Sequence, residues 1–190
     1  AINRLEAPSA VENDFTFENV GDATVLGLEL EGRLDLVSII SDEEDKSQNL
    51  SFGGNATVMS TRLEYADNPL FNFTGSSSQL EGASPLTINA DLSYKFKFND
   101  KETTSTLVFN YQSDKVFTIG TNFQENIVEK AVPLLDFVFK HNFNKKLSLK
   151  FNAKNILNPR FERYRDVAEK LTTNSYRKGT TLSVGINYSL

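Results

Sequence analysis

Apolar and polar residues alternate along several segments of the chain. In residues 181–190, Leu, Val, Ile and Tyr occupy every second position and small polar residues occupy the others. Residues 85–98 keep this alternation over a longer span, and residues 25–37 show it with Glu and Arg on the second face. Successive side chains of a strand point to opposite sides, so the pattern predicts strands with one apolar and one polar face.

Four further segments alternate less regularly, namely residues 50–61, 104–113, 135–143 and 147–153. The pattern therefore predicts seven strands, and an eighth strand that ends near Leu5.

The predicted connections alternate between short and long. Asn99-Asp100-Lys101-Glu102 and Asn144-Lys145-Lys146 predict tight polar turns, whereas residues 66–84, 116–131 and 158–179 form long connections. The short and long connections therefore lie at opposite ends of the strands. The connection formed by residues 38–49 is longer than this rule expects for its end of the strands.

This combination predicts an all-β, antiparallel, up-and-down transmembrane β-barrel section. Barrels of the outer membrane have short turns at one end, long loops at the other and about ten alternating residues per strand. Aromatic residues near the predicted strand ends fit an interfacial girdle. These residues are Tyr65, Tyr94, Phe96, Phe98, Phe143 and Tyr188. A soluble β-sandwich also alternates, and the sequence by itself does not separate the two folds.

Composition agrees with a barrel and excludes other classes. The mean hydropathy of -0.35 suits strands of which half the positions face a polar lumen. No segment has the roughly 20 consecutive apolar residues of a membrane-spanning helix. The net charge of -5 argues against a nucleic-acid partner. The absence of Cys excludes disulfides and thiolate metal sites.

Candidate catalytic chemistry is sparse, so the sequence predicts no enzyme. His141 is the only histidine and belongs to no metal-binding or triad spacing. The carboxylates of Glu29, Glu31, Asp35 and Asp91 are interpreted as charges on the polar strand face. No catalytic residue, metal ligand or cofactor site is therefore expected.

Four segments in chain order resemble the late barrel strands of TonB-dependent outer-membrane receptors. The resemblance is to the Bacteroidota type that carries a carboxypeptidase-regulatory-like N-terminal domain. The segments are residues 17–31 (FENVGDATVLGLELE), 84–94 (SPLTINADLSY), 152–159 (NAKNILNP) and 175–188 (SYRKGTTLSVGINY). The resemblance implies that residues 1–190 form the C-terminal segment of a barrel of about 22 strands, without its plug domain and N-terminal strands.

The resembled family takes up scarce nutrients across the bacterial outer membrane, such as siderophores, cobalamin, glycans or peptides. The partners it implies are outer-membrane lipid, a TonB-type energising complex reached through the N-terminal part, the barrel-assembly machinery and a surface lipoprotein. Tyr188 and Leu190 are the expected assembly signal, although the family usually ends in an aromatic residue.

The expected ligand contacts lie in two long connections, because binding residues concentrate on loops. They are residues 68–73, with Asn72 and Phe73, and residues 160–166, with Arg160, Tyr164 and Arg165. Two alternatives remain open. One is a complete eight-stranded outer-membrane barrel that serves as an adhesin or structural protein, and the other is a secreted β-sandwich that binds carbohydrate.

Overall fold

The computed structural model describes residues 2–6, 15–36, 48–67 and 72–189. This part of the chain holds fourteen strands: β1 (Ile2–Glu6), β2 (Phe15–Asn19), β3 (Gly21–Asp35), β4 (Gln48–Tyr65), β5 (Ser77–Ser78), β6 (Leu86–Phe98), β7 (Lys101–Gln112), β8 (Lys115–Thr118), β9 (Ile127–Glu129), β10 (Val132–Asn142), β11 (Leu147–Lys154), β12 (Phe161–Arg165), β13 (Leu171–Tyr176) and β14 (Thr181–Tyr188). Within these residues, no helix is long and apolar enough to cross a membrane.

Seven of the strands form one large antiparallel sheet in the order β3-β4-β6-β7-β10-β11-β14, and β5 pairs with the end of β4. The seven strands predicted from alternation are confirmed, and each pairs with the next of them along the chain. The eighth predicted strand exists as β1, but it pairs with β2 instead of joining the large sheet. Pairing with a strand nearby in the chain costs less loop-closure entropy.

The large sheet has one apolar and one polar face. The paired positions of neighbouring strands form rows across the sheet, and one such row contains Leu34, Phe52, Leu92, Leu107, Phe137, Ala153 and Leu182. We call the side of the sheet that carries this row the apolar face. Its side chains are most exposed on the outer strands, where Leu26 and Ile186 are both 75% exposed. The hydrophobic side chains of this face therefore lack a covering layer among the described residues.

The polar face is linked by hydrogen bonds between neighbouring strands. Asn89 donates to Asn55 at 2.8 Å, and the hydroxyls of Ser93 and Thr106 lie 3.0 Å apart. Arg33 on β3 reaches over β4 and bonds Asp91 on β6 at 3.1 Å.

A glycine makes this crossing possible. Gly53 stands on β4 between Arg33 and Asp91, and a Cβ at this position would lie 2.6 Å from Asp91 Oδ1 and 2.7 Å from Arg33 Nη2. Any larger residue must therefore displace one or both side chains of the ion pair.

The two ends of the large sheet differ. At one end, β6 and β7 are joined by Asn99 and Asp100 alone, both in the left-handed region with φ of 50° and 58°. This is the geometry of a tight hairpin turn. In the next turn at this end, the Asn144 side chain accepts hydrogen bonds from the backbone N–H groups of Lys146 and Leu147. We call this end the short-turn rim and the other end the long-connection rim.

Two of the long connections contain a second sheet. Strands β8, β9, β12 and β13 form a four-stranded antiparallel sheet, so residues 116–131 and 158–179, which the sequence predicts only as long connections, also contain strands. The strands have three to six residues, too few for alternation to stand out. We call it the rim sheet.

The only compact core of the described residues lies at the long-connection rim. Val20, Leu63, Val116 and Ile119 are buried together there, and the ring of Tyr65 stacks on Phe73 with centroids 4.5 Å apart. Tyr65 was expected in an aromatic girdle, but it stands opposite Gly21 on the face that also carries Leu63. It therefore packs into this core and not on the apolar face.

We expect Gly21→Ala to destabilise the fold by about 3 kcal/mol, because the backbone there leaves no room for a side chain. Gly21 has a φ of 148°, and an added Cβ would lie 2.0 Å from the carbonyl oxygen of Glu64. Gly32→Ala on the same strand is the control, since nothing lies within 4 Å of its added Cβ. Urea unfolding followed by circular dichroism measures both. Equal effects of the two substitutions would contradict the expected clash.

Candidate functional site

A polar pocket of about 590 Å³ lies at the long-connection rim. The end of β7, the rim sheet and the chain around β5 surround it. Its lining includes Ser78, Gln79, Tyr111, Asp114, Lys115, Asn126, Tyr164 and Asp166. We call it the rim pocket. It combines hydroxyl, amide and carboxylate groups with two aromatic rings, which suits the binding of a small polar ligand.

Asp114 organises one side of the rim pocket. Its Oδ1 accepts a hydrogen bond from the backbone N–H of Ala131 at 2.8 Å, and its Oδ2 accepts one from the Tyr164 hydroxyl at 2.7 Å. The ammonium group of Lys170 donates to the Tyr164 oxygen at 3.2 Å and lies 4.3 Å from the centre of the ring. The network joins two connections of the large sheet, because Asp114 follows β7 whereas Tyr164 and Lys170 both lie between β11 and β14.

Burial raises the pKa of Tyr164 above the ordinary value of 10.0, and the hydrogen bond to Asp114 raises it further. The hydrogen bond to Tyr164 raises the pKa of Lys170 above 10.5. Both groups therefore keep their protonated forms in the folded protein at neutral pH. The phenol acts as a donor to Asp114 and the ammonium group keeps its positive charge beside the ring.

A row of charges crosses the rim sheet next to this network. Arg163 donates two hydrogen bonds to Glu129 Oε2, at 2.9 and 3.0 Å, and its guanidinium lies 3.5 Å from the centre of the Phe117 ring. Lys115 lies 3.6 Å from Glu129 Oε1. These side chains are only 20 to 25% exposed, so their mutual attraction is less screened than on an open surface. The row fixes β8, β9 and β12 in register beside the pocket.

The structure separates the residues that the sequence predicts as ligand contacts. Tyr164 lines the rim pocket. Arg165 donates to the carbonyl oxygen of Glu125 at 3.0 Å, and Arg160 lies outside the pocket, 3.3 Å from the Ser175 hydroxyl. Only one of these three side chains therefore belongs to the pocket.

Asn72 and Phe73 line a second, smaller cleft of about 350 Å³, together with Tyr65. The carbonyl oxygen of Asn72 accepts a hydrogen bond from the N–H of Asn122 at 2.7 Å, so this segment supports the neighbouring turn. Residues 68–71, which belong to the same predicted loop, lie outside the described residues.

The turn supported by Asn72 carries a residue that the sequence reading missed. Phe123 is 87% exposed and has a φ of 67°, which is rare for a bulky side chain. Thr74 also holds this turn through its hydroxyl, which donates to the Gln124 carbonyl oxygen at 2.7 Å. An exposed aromatic ring on a braced turn is a good contact for a ligand or protein. The sequence pattern does not indicate Phe123, because this residue lies outside every alternating segment.

Tyr188 and His141 lie at the short-turn rim. Tyr188 is 61% exposed and pairs with Leu147, whereas Leu190 lies outside the described residues. His141 is on the apolar face of β10, where its Nδ1 lies 2.8 Å from the Thr103 hydroxyl and its ring meets Phe143 edge-on at 4.7 Å. These contacts belong to the packing of the apolar face.

The rim pocket offers several polar side chains to a ligand. The Asp166 carboxylate and the Tyr111 hydroxyl are among these groups. Among those residues, no group of three or more His, Asp or Glu side chains could hold a metal ion. No family model, curated protein or solved structure matches the chain.

We expect Tyr164→Phe to lower the free energy of unfolding by about 1 kcal/mol, because Asp114 loses a hydrogen-bond donor. The matched control is Tyr176→Phe, since the Tyr176 ring stacks on Phe161 and its hydroxyl has no partner in the described part of the chain. Urea unfolding at neutral pH compares the two variants. Similar losses for both would show that the hydrogen bond to Asp114 adds no stability.

The raised pKa of Tyr164 predicts a loss of stability at alkaline pH. The unfolded phenol ionises near 10.0 and the folded one at higher pH, so its contribution is present below pH 10.0 and is lost above it. The raised pKa of Lys170 acts in the same direction. We expect the unfolding midpoint to fall above pH 10 in the unmodified chain and to fall less steeply in Tyr164→Phe. An equal slope in both proteins would contradict this assignment.

Proposed function

We propose that the chain is the C-terminal section of the transmembrane β-barrel of a TonB-dependent receptor in a bacterial outer membrane. The observation that carries the proposal is the apolar face of the large sheet. It continues in register across seven strands and has no protein layer over it in the described residues.

The size of the apolar face favours lipid as its environment. Leu28, Leu30, Val58, Val184 and Ile186 are each between 61 and 75% exposed. Soluble monomers rarely expose contiguous apolar patches larger than a few hundred Å². In a bilayer these side chains would contact lipid tails, while the strands keep their backbone groups paired with one another.

The end of the apolar face at the short-turn rim is aromatic, as expected of side chains at a membrane interface. At the short-turn rim, Tyr94 and Phe96 stack with ring centroids 4.9 Å apart, and Phe98, His141 and Phe143 form a second group. The strands between the two rims have eight to eighteen residues. A tilted membrane-spanning strand needs about nine to eleven residues.

The asymmetry of the rims supports an orientation. Outer-membrane barrels place short turns in the periplasm and long loops outside the cell. The turn of Asn99 and Asp100 would then face the periplasm. The rim pocket and Phe123 would face the exterior, where a nutrient is captured.

The assignment to TonB-dependent receptors rests on the sequence resemblance. In this proposal the polar face lines the lumen, and a scarce nutrient passes through a larger barrel that this section helps to form. The TonB-type complex, the assembly machinery and a surface lipoprotein would be its partners. The hydrogen-bonding groups of the rim pocket suit the binding of a polar nutrient.

The two alternatives have less support. A complete eight-stranded barrel needs a strand beside β14, but β1 pairs with β2 and no described strand takes that edge. A β-sandwich needs a second sheet over the apolar face. The rim sheet has its own pairing at the end of the large sheet and leaves the apolar face exposed.

We expect Val184→Arg to impair insertion into lipid vesicles and to cost about 2 to 4 kcal/mol, because the charge would enter the bilayer. Ser183→Arg is the control, since Ser183 is also exposed on β14 but points to the polar face. Folding into phospholipid vesicles, followed by resistance of the folded band to protease, compares the two. An equal tolerance of both arginines would overturn the membrane assignment.

The receptor assignment predicts a much longer parent polypeptide. An antibody raised against this segment should detect, in outer-membrane fractions of the source cells, a protein several times the 21.3 kDa of the chain. A membrane protein of about this mass would instead support the small complete barrel. A water-soluble protein would overturn both.

A further inference from the structure

Charge is segregated along the polar face of the large sheet. The half towards the long-connection rim carries four carboxylates and two cations: Glu29, Glu31, Asp91, Asp136, Arg33 and Lys154. The rows nearest the short-turn rim carry four lysines and one carboxylate: Lys95, Lys97, Lys140, Lys150 and Glu102. The polar face is therefore basic where the turns are short.

Two of these lysines oppose each other directly. Lys140 on β10 pairs in register with Lys150 on β11, so their Cα atoms are about 5 Å apart. Like charges in this arrangement destabilise a sheet. No carboxylate within 4.0 Å of either ammonium group is found in the described residues, and Glu102 is engaged with Lys95 at 3.7 Å. The repulsion between Lys140 and Lys150 is thus not offset by an ion pair.

A cleft of about 470 Å³ adjoins this lysine pair at the short-turn rim. Lys140 lines it together with Lys145 and Lys146 from the turn between β10 and β11. Lys101 is a fourth lysine in the lining, which also contains two carboxylates, Asp100 and Glu102, so the charged groups of the cleft are net positive. The other polar groups of the lining are Asn142, Asn144, Ser148, Asn187 and Ser189. Lys150 does not line the cleft itself but lies next to it on the same face, opposite Gly185 on β14, where nothing lies within 4 Å of an added Cβ.

We propose that this cleft binds a compact anion with several negative charges, of the phosphate or polycarboxylate class. Such a ligand would lie between Lys140 and Lys150 and contact the turn lysines. Its charge would offset the repulsion that the chain itself leaves uncompensated. Lysine ammonium groups bind phosphate as compact point charges, and the neighbouring amide and hydroxyl groups supply directional hydrogen bonds.

The proposal does not depend on the receptor assignment, since the cleft and its charges belong to the sheet itself. The proposal also specifies that the anion binds on the polar face of the large sheet. The side chains of Lys140 and Lys150 point away from the apolar face, so a lipid headgroup in contact with that face would not reach them. A phosphate in solution and a phosphate on a lipid can therefore be distinguished.

The test uses the whole chain folded in nonionic detergent, with inorganic pyrophosphate as the probe and isothermal titration calorimetry as the measurement. We expect pyrophosphate to bind and its affinity to fall with added salt. Lys150→Gln should weaken binding about fivefold, as the loss of one charged contact predicts. Glu102→Gln should strengthen it, because a competing carboxylate beside the lysines is removed.

The matched control is Lys154→Gln. Lys154 is exposed on the same strand and the same face as Lys150, but it lies about 13 Å farther along β11. We expect this variant to bind pyrophosphate within twofold of the unmodified chain. Circular dichroism confirms the fold of each variant, and Lys150→Gln should fold at least as well as the original because it relieves a like-charge pair.

Three outcomes would overturn the proposal. The first is the absence of any heat of binding when pyrophosphate is titrated into the folded chain. The second is a loss of affinity in Lys154→Gln as large as that in Lys150→Gln. The third is an effect of Lys150→Gln that appears only after phosphatidylglycerol is added to the micelles. That result would assign the lysines to lipid headgroups and not to a dissolved anion.

Discussion

The structure depends on one constraint, the common register of seven strands. Side chains alternate between two faces with a period of two, so a shift of one residue in any strand would exchange its apolar and polar positions. The pairing keeps Leu34, Leu107 and Leu182 in one row across the sheet. The apolar face, the ion pair over Gly53 and the lysine pair at the short-turn rim all follow from this register.

This constraint also explains which elements could be predicted from the sequence. Alternation is a local signal, so it identified the seven strands of the large sheet, and β14 was visible from ten residues alone. The short strands of the rim sheet carry too few alternating positions to be recognised. Their pairing, for example of Arg163 with Glu129, joins segments 34 residues apart and depends on the fold around them. The position of Tyr65 was not predicted correctly either. An aromatic residue near a strand end does not by itself indicate which face of the strand its side chain occupies.

The candidate site was predictable only in part. Tyr164 stood out because it lies among cations in a long connection, but its partner Asp114 comes from a different connection, 50 residues away. Nothing in the local sequence links the two residues. The lysine pair is a different case, since Lys140 and Lys150 flank one hairpin and the turn sets their register. A charge pattern within a hairpin can thus be read from sequence, whereas a pocket built from several connections requires the structure.

The apolar face could be covered by lipid or by a second layer of protein. The outer strands of the large sheet distinguish between these two environments. β3 and β14 are its outer strands, and they do not pair with one another in the described part of the chain. Water can solvate the free N–H and C=O groups of such edges, so a soluble sandwich needs only a layer over the apolar side chains. Lipid cannot solvate them, and a membrane barrel must therefore pair both edges with further strands. Apolar exposure is common to both environments, and edge pairing is what distinguishes a barrel section from half of a sandwich.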